Sequence, residues 1–378
     1  MVTSGVYEAG LRGVGTLAAM ADLQPFRAVR YSGAAGPLVD LVAPPYDAVG
    51  REEREQLFSR SLHNVVHLTL PESAEQAADL YGEWLSEGIL EREDDPTAWL
   101  LSEEYVGPDG VGRERRGIVV SLAAEPYESG RVLPHERTHP HIREERLRLL
   151  RATRVQPEPI FLLLDGHLDT ELPDRRPDVE ASGSRLWRLA DFDPSSLEDR
   201  SLLIADGHHR YESALELGAE LGAHARVMAL LVATSDPGLH VFPTHRTFSD
   251  RPELAKLDEG EAVETMDEAL ALLAGESRTR SAAVAYRRGW IGLLHGEEDE
   301  LDVELVDRFG LEGIGYTQSA SEAVASVDRA EVDAAFLLRA TRVEDVFAVA
   351  RSGRRMPPKS TYFFPKPLSG LLFHPLEP

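Results

Sequence analysis

Apolar runs of strand length alternate with helix-length amphipathic stretches along most of the chain, a texture that predicts an α/β protein with mixed sheets. From Asp40 to Asp47 an apolar strand is expected to run into the rigid turn Ala43-Pro44-Pro45-Tyr46-Asp47. A polar helix over Arg51–Phe58 and a strand over Asn64–Leu70 should follow, then an amphipathic helix from Ser73 to Leu90 burying Leu80, Trp84 and Leu85. The strands Trp99–Val106 and Arg116–Leu122 flank Gly107-Pro108-Asp109-Gly110, which has the composition of a hairpin turn. Leu133–Arg154 reads as a loop leading into a basic helix, and Pro159–Leu164 as a buried strand.

Residues 166–200 are rich in Asp, Pro and Ser and read as an irregular insertion with a short strand around Leu186. The strand Ser201–Ala205, the helix Tyr211–Leu221 and the core strand Arg226–Thr234 come next. Beyond Pro252 the pattern predicts a helix over Glu264–Leu273, strands over Ala282–Tyr286 and Ile291–Leu294, a helix over Ser319–Asp328 and a strand over Ala334–Arg339. The implied organisation is a flexible leader (1–21), an N-terminal α/β region (22–130), a catalytic core (131–250) and a C-terminal α/β region (251–378). The segment 356–366 of that last region, too specific in character for a frayed tail, is expected to close the site.

Composition narrows the functional classes. Cysteine is absent, which removes disulfides, zinc-thiolate sites and cysteine nucleophiles and suits a reducing, cytoplasmic setting. No apolar run reaches the ~20 residues of a membrane span. The apolar patch Val14–Ala21 lacks the basic start of a signal peptide. A formal charge of −25 opposes binding to nucleic acid or anionic membranes. Against that background Arg137, Arg143, Arg146, Arg148, Arg151 and Arg154 crowd together with His135, His139 and His141. The cluster suits a small anionic ligand; a solvated basic helix face is the plainer alternative.

Three strings carry candidate chemistry. Ala205-Asp206-Gly207-His208-His209-Arg210 joins a strand to a helix. Gly207 allows a sharp turn, the helix start attracts anions, and the histidines and Arg210 offer donors to phosphate oxygens. Asp206 could hold Mg²⁺ or accept a proton. In Leu133-Pro134-His135-Glu136-Arg137-Thr138, Glu136 is a carboxylate among cations, suited to a general base in phosphoryl transfer. The alternative is a polar loop capping the basic helix, and the irregular His135, His139 and His141 spacing argues against a structural metal site. Lys359-Ser360-Thr361 could bind phosphate, although no Gly-rich run precedes it. Asp47 and Thr244-His245-Arg246 are polar clusters at expected strand ends.

Together with Pro25-Phe26-Arg27, Asn64-Val65-Val66 and Pro358-Lys359-Ser360-Thr361-Tyr362, these motifs resemble a bacterial family long catalogued only as a conserved domain of unknown function. The Asp-Gly-His-His-Arg string also resembles the signature of free serine kinases, which have a ParB/sulfiredoxin-like fold. Members of the family look similar to pyrophosphate-dependent serine kinases. The resemblance implies a ParB/sulfiredoxin-like catalytic core making O-phosphoserine from L-serine and pyrophosphate. Mg²⁺ is expected to neutralise charge in such a transfer, and the chain is expected to be a monomer or homodimer.

The resemblance places Asp206, His208, His209 and Arg210 in the donor-binding string and makes Glu136 the activating carboxylate, and it gives the other motifs no role. With the residues' own chemistry added, Glu136, Asp206 and His208 would be catalytic, with Asp206 also the metal ligand. His135, Arg137, His139, Arg151, Arg154, Gly207, His209, Arg210, Lys359, Ser360 and Thr361 would hold the donor, and Asp47, Thr244, His245 and Arg246 the acceptor. A phosphoserine phosphatase, an ADP- or ATP-dependent serine kinase and a non-catalytic ParB-like regulator are the alternatives.

Overall fold

A computed structural model describes residues 22–197, 200–222 and 225–376. The expected leader, 1–21, lies outside them. Among the described residues a nine-stranded mixed sheet forms the larger core, in the order 132–133, 202–206, 160–164, 226–233, 112–123, 98–106, 184–189 and 179–181, with 23–24 paired to 112–123. Two pairings are parallel, 202–206 with 132–133 and 226–233 with 160–164; the rest are antiparallel. Strands from regions 22–130 and 131–250 therefore share one sheet.

Period-two alternation decides what each face of that sheet buries. Ile160, Leu162, Leu164, Leu202 and Ile204 point one way, Phe161, Leu163 and Leu203 the other.

The helices, numbered along the chain, are α1 (Arg51–Arg60), α2 (Val66–Thr69), α3 (Ala74–Ser86), α4 (Pro140–Thr153), α5 (His208–Leu221), α6 (Met266–Gly275), α7 (Asp302–Asp307), α8 (Ala320–Asp328) and α9 (Val343–Arg351). Leu147 and Leu150 of α4 and Tyr211, Ala214 and Leu217 of α5 cover the first face. Val346, Phe347 and Val349 of α9, together with Phe363, cover the second. The α1–α3 region makes its own core around Leu41, Val65, Val66, Leu68, Trp84 and Phe373.

A second sheet is wholly antiparallel, ordered 261–262, 290–298, 280–287, 334–337, 245–248 and 314–317. Here α6 and α8 pack on one face and α7 on the other. The α/β class with mixed sheets is thus as the pattern predicts, and the hairpin spans Ala98–Val106 and Gly112–Ala123.

Several elements differ from expectation. Residues 64–70 hold the short helix α2, not a strand. The Asn64 side chain accepts a hydrogen bond from Val66 N (2.9 Å) and donates to the carbonyls of Asp40 (2.8 Å) and Val42 (3.2 Å). It thereby starts a helical turn and satisfies carbonyls that a strand over 40–47 would have given to a neighbour. That segment is accordingly a 3₁₀ turn at Leu38–Asp40 followed by a single bridge from Ala43 to Ser369. On α3 the buried residues are Ala77 and Trp84; Leu80 is half-buried and Leu85 exposed. The 166–200 insertion contains a two-strand hairpin, 179–181 and 184–189, not one strand.

Candidate active site

The strand Leu202–Asp206 and helix α5 meet at Gly207, whose φ of 100° lies in the left-handed region. A Cβ there would stand 2.7 Å from Ile160 Cγ2, so the turn requires glycine on both counts. No side chain caps α5 and its first turn carries no acid. Its amides and positive dipole end face the turn, an arrangement that suits an anion.

Asp206 ends the strand, and both its oxygens are engaged. Oδ1 accepts from Lys366 Nζ at 2.7 Å and Oδ2 from Arg210 Nη2 at 2.6 Å. Lys366 also donates to Asp47, in the Pro-Pro-Tyr-Asp turn. Arg210 reaches the Pro159 carbonyl (2.5 Å) and lies 3.8 Å from Glu158.

Burial alone would raise the Asp206 pKa, but Lys366 and Arg210 outweigh it and hold the carboxyl down to about 2. Burial would likewise lower the Lys366 pKa, and the two aspartates keep it above its ordinary range. Lys366 was not among the candidates from sequence, which settled on Lys359.

The second string docks beside the first. His135 is fully buried and donates from Nδ1 to the Ile204 carbonyl at 2.7 Å. Nε2 is then the acceptor for the Thr361 hydroxyl at 2.9 Å. The His208 ring accepts at Nε2 from the backbone N–H of His135 (3.2 Å) and of Glu136 (3.5 Å). Burial holds both imidazoles below their usual pKa, His208 well below, so both are neutral at pH 7. His209 accepts from His139 N at 2.9 Å in the same manner.

Glu136 emerges from this frame with 30% of its side chain exposed, its Oε1 4.0 Å from His135 Nε2. Its charge is felt by Arg246, and that of Arg355 by both His135 and His208.

The third string closes the group through its backbone. Met356 N donates to the His135 carbonyl at 2.8 Å. Arg246, fully buried, donates to the carbonyls of Thr244 (2.8 Å), Lys359 (3.1 Å) and Pro358 (3.2 Å). Ser360 is buried, its hydroxyl on the Pro357 carbonyl.

The structure therefore brings Asp47, His135, Glu136, Asp206, Gly207, His208, His209, Arg210 and Thr361 together, with Lys366 in addition. Arg137 and Lys359 are exposed beside them.

Other candidates fall elsewhere. Arg151 pairs with Glu220 and, at 3.7 Å, with Glu144, at the far end of α5 from Gly207. Arg154 is the exposed left-handed cap of α4. His245 is buried in the second sheet, its Nδ1 accepting from Leu338 N at 3.1 Å. Much of the cationic cluster is answered by α5 acids: Arg143 lies 3.6 Å from both Glu212 and Glu216, and Thr138 donates to Glu212 at 2.6 Å. Arg146 is buried over the Tyr46 ring.

Each Asp206 oxygen holds a charge-assisted bond here, one to Lys366 and one to Arg210. Among the described residues no group of three or more His, Asp or Glu side chains could hold a metal ion. None of the described helices is long and apolar enough to cross a membrane.

No curated protein matches the chain. Solved structures similar to it include a free serine kinase in complex with AMP, at 17% identity and a TM-score of 0.39, over 65% of this chain and 86% of that one. A conserved hypothetical protein from Pyrococcus furiosus matches at 18% and 0.36, over 65% and 90%. SbnI with a C-terminal truncation, from Staphylococcus aureus, matches at 13% and 0.38, over 65% and 82%. Scores of this size are too low to establish a shared fold.

A family profile described as a protein of unknown function, DUF1015, matches residues 23–328 in one stretch, which takes in the strings around Glu136 and Asp206. The chain belongs to the DUF1015 family.

Proposed function

We propose that this chain is a small-molecule kinase that phosphorylates the hydroxyl of L-serine, with pyrophosphate as donor and a ParB/sulfiredoxin-like catalytic core. The observation that carries the reading is the seating of a half-exposed carboxylate, Glu136, against the uncapped start of α5. His208 fixes the first to the second through the amides of residues 135 and 136. A base and an anion cradle thus share one rigid frame, as transfer of a phosphoryl group to an alcohol requires.

In this mechanism Glu136 takes the proton of the serine hydroxyl as its oxygen attacks one phosphorus of pyrophosphate. The bridging P–O bond breaks, and inorganic phosphate leaves with the bond's electron pair. The first-turn amides of α5, with Arg355 and the exposed Lys359 beside them, would offset the charge that develops on the phosphoryl oxygens. Asp206 is too acidic to be the base; its part is to hold Lys366 and Arg210 in place. Mg²⁺ enters as the companion of the pyrophosphate substrate, and no protein-bound metal site is part of the scheme.

Phosphorus NMR of the purified chain with L-serine, Mg²⁺ and pyrophosphate, ADP or ATP in turn tests the proposal. Growth of an O-phosphoserine signal with pyrophosphate is expected. Turnover with ATP but none with pyrophosphate would replace the donor, and no product with any of the three would end the kinase reading.

A further inference from the structure

A cleft of about 410 Å³ opens where the strand 280–287 begins and the strand 334–337 ends, with Asp345, Ala348 and Val349 of α9 along one side. It is separate from the site around Asp206, and its lining is dominated by charge. Arg339 forms the buried floor: it holds both oxygens of Asp302 (2.7 and 2.6 Å) and donates to the carbonyls of Glu276, Ser277 and Arg280. Glu300 is turned to Arg308 (2.6 Å) and the Ser281 hydroxyl (2.6 Å), and Asp345 takes Arg342 through two bonds. Of the lining acids this leaves Asp299, exposed in a left-handed turn.

Arg278 and Arg280 differ from their neighbours. Each gives a hydrogen bond to a main-chain carbonyl, Arg278 to Ala340 (3.0 Å) and Arg280 to Gly296 (2.7 Å). Among the described residues neither forms an ion pair. Partial burial lowers the Arg278 pKa, with Arg339 and Arg342 acting in the same direction and Asp302 and Asp345 opposing them. Cations crowded at one mouth, with every lining acid but Asp299 already committed, are complementary to a multiply charged anion.

The cleft is wired to the segment that completes the candidate active site. Thr341, in its wall, donates its hydroxyl to the Ser360 carbonyl at 2.7 Å. The next residue, Thr361, bonds His135, and Met356 N holds the His135 carbonyl. Arg354, also in the wall, lies two residues before Met356 and pairs with Glu304 at 2.6 Å.

We infer that this cleft is a second ligand site, for a small molecule carrying two or more phosphate groups gripped by Arg278 and Arg280, and that its occupant steadies residues 354–361 against His135. The inference does not depend on the kinase reading, since it concerns binding and local order.

Isothermal titration of the full chain with inorganic triphosphate, and separately with ATP, tests it. Losing a hydrogen bond to a charged group weakens binding about tenfold or more, and R278A/R280A is expected to show at least that loss. Hydrogen exchange separates this cleft from the start of α5. Triphosphate should slow exchange over 339–342 and 354–361 in the wild type and leave it unchanged in R278A/R280A. Thr341→Val should keep the affinity but lose the protection over 358–361.

Equal affinity for triphosphate and ATP would mean that phosphates alone are read; tighter ATP would add a nucleoside contact within the same site. Should the double variant fail to fold, Arg278→Gln, at an exposed position, supplies the same comparison. Undiminished binding and protection in the arginine variants, or no binding of either compound, would overturn the proposal.

Discussion

The ammonium of Lys366 sits 2.7 Å from Oδ1 of Asp206 and also donates to Asp47, so one lysine fastens the C-terminal segment to the end of a central strand and to the Pro-Pro-Tyr-Asp turn. Its side chain is only 21% exposed and that of Asp206 14%. Replacing the lysine leaves a carboxylate in a dry setting with Arg210 as its remaining cation.

For Lys366→Met we therefore expect a loss of about 3 kcal/mol, in the range for breaking a buried pair from one side. The Asp206 pKa should rise. Urea denaturation gives the first quantity and carboxyl NMR titration the second. A Lys366→Met protein as stable as the wild type, with Asp206 still titrating near its present value, would show that the pair contributes nothing.

Glu136→Gln removes the proposed base while keeping the shape of the side chain. Turnover should fall about 10²-fold or more. Stability should stay within about 0.5 kcal/mol, because the position is half-exposed and apart from the core. Steady-state rates alongside thermal melts separate the two effects. Near-normal turnover would remove Glu136 from the chemistry.

Gly207→Ala tests the turn. A methyl group there meets Ile160 at 2.7 Å and forces a side chain into a left-handed conformation. A cost of about 1–3 kcal/mol is expected from the backbone conformation alone. Since the turn carries His208, the backbone at 135 and 136 should shift as well, and amide NMR shifts at those two residues would register it.

Acid should weaken the fold in two stages. Burial lowers the pKa of His135, His208, His245 and His374 below 6.5, the last two to about 4. The unfolded chain thus binds more protons as the pH drops below 6.5, and stability declines from that point. Asp206, depressed from 3.8 to about 2, contributes stability that is present above 3.8 and lost as the pH falls toward 2. Between about pH 7 and 9 these groups predict a plateau. Urea midpoints across pH 3–9 check the profile; a flat line from 6.5 to 4 would mean the histidines are not held neutral.

How far the sequence could be read depended on whether a string's role was local or distant. The turn at Gly207 and the two helices after the basic loop were legible because strand period, glycine and helix period all agree within a few residues. Asn64 was not: its side chain works on carbonyls near residue 40, and an apolar run of seven residues fits a short buried helix as well as a strand. Lys359 drew attention through its hydroxyl neighbours, yet its own backbone is left-handed and its contribution to the frame is a carbonyl held by Arg246. Lys366 had no local cue, although the stretch from Met356 to Lys366 stood out as a unit. The Arg-rich helix could be read as a ligand patch or as a solvated basic face, because most of the acids that answer it, Glu212, Glu216 and Glu220, lie on α5 and only Glu144 and Glu145 lie on its own helix.

The antiparallel second sheet has its own lesson about where this protein can be cut. Its strand 334–337 lies between 280–287 and 245–248 and bonds to both. The family match stops at residue 328, before that strand, before α9 and before Lys366. An expression fragment trimmed to the matched boundaries would open a seam through the middle of one sheet and strip an apolar cover from the other. It would be a poor substitute for the whole chain in any screen for activity.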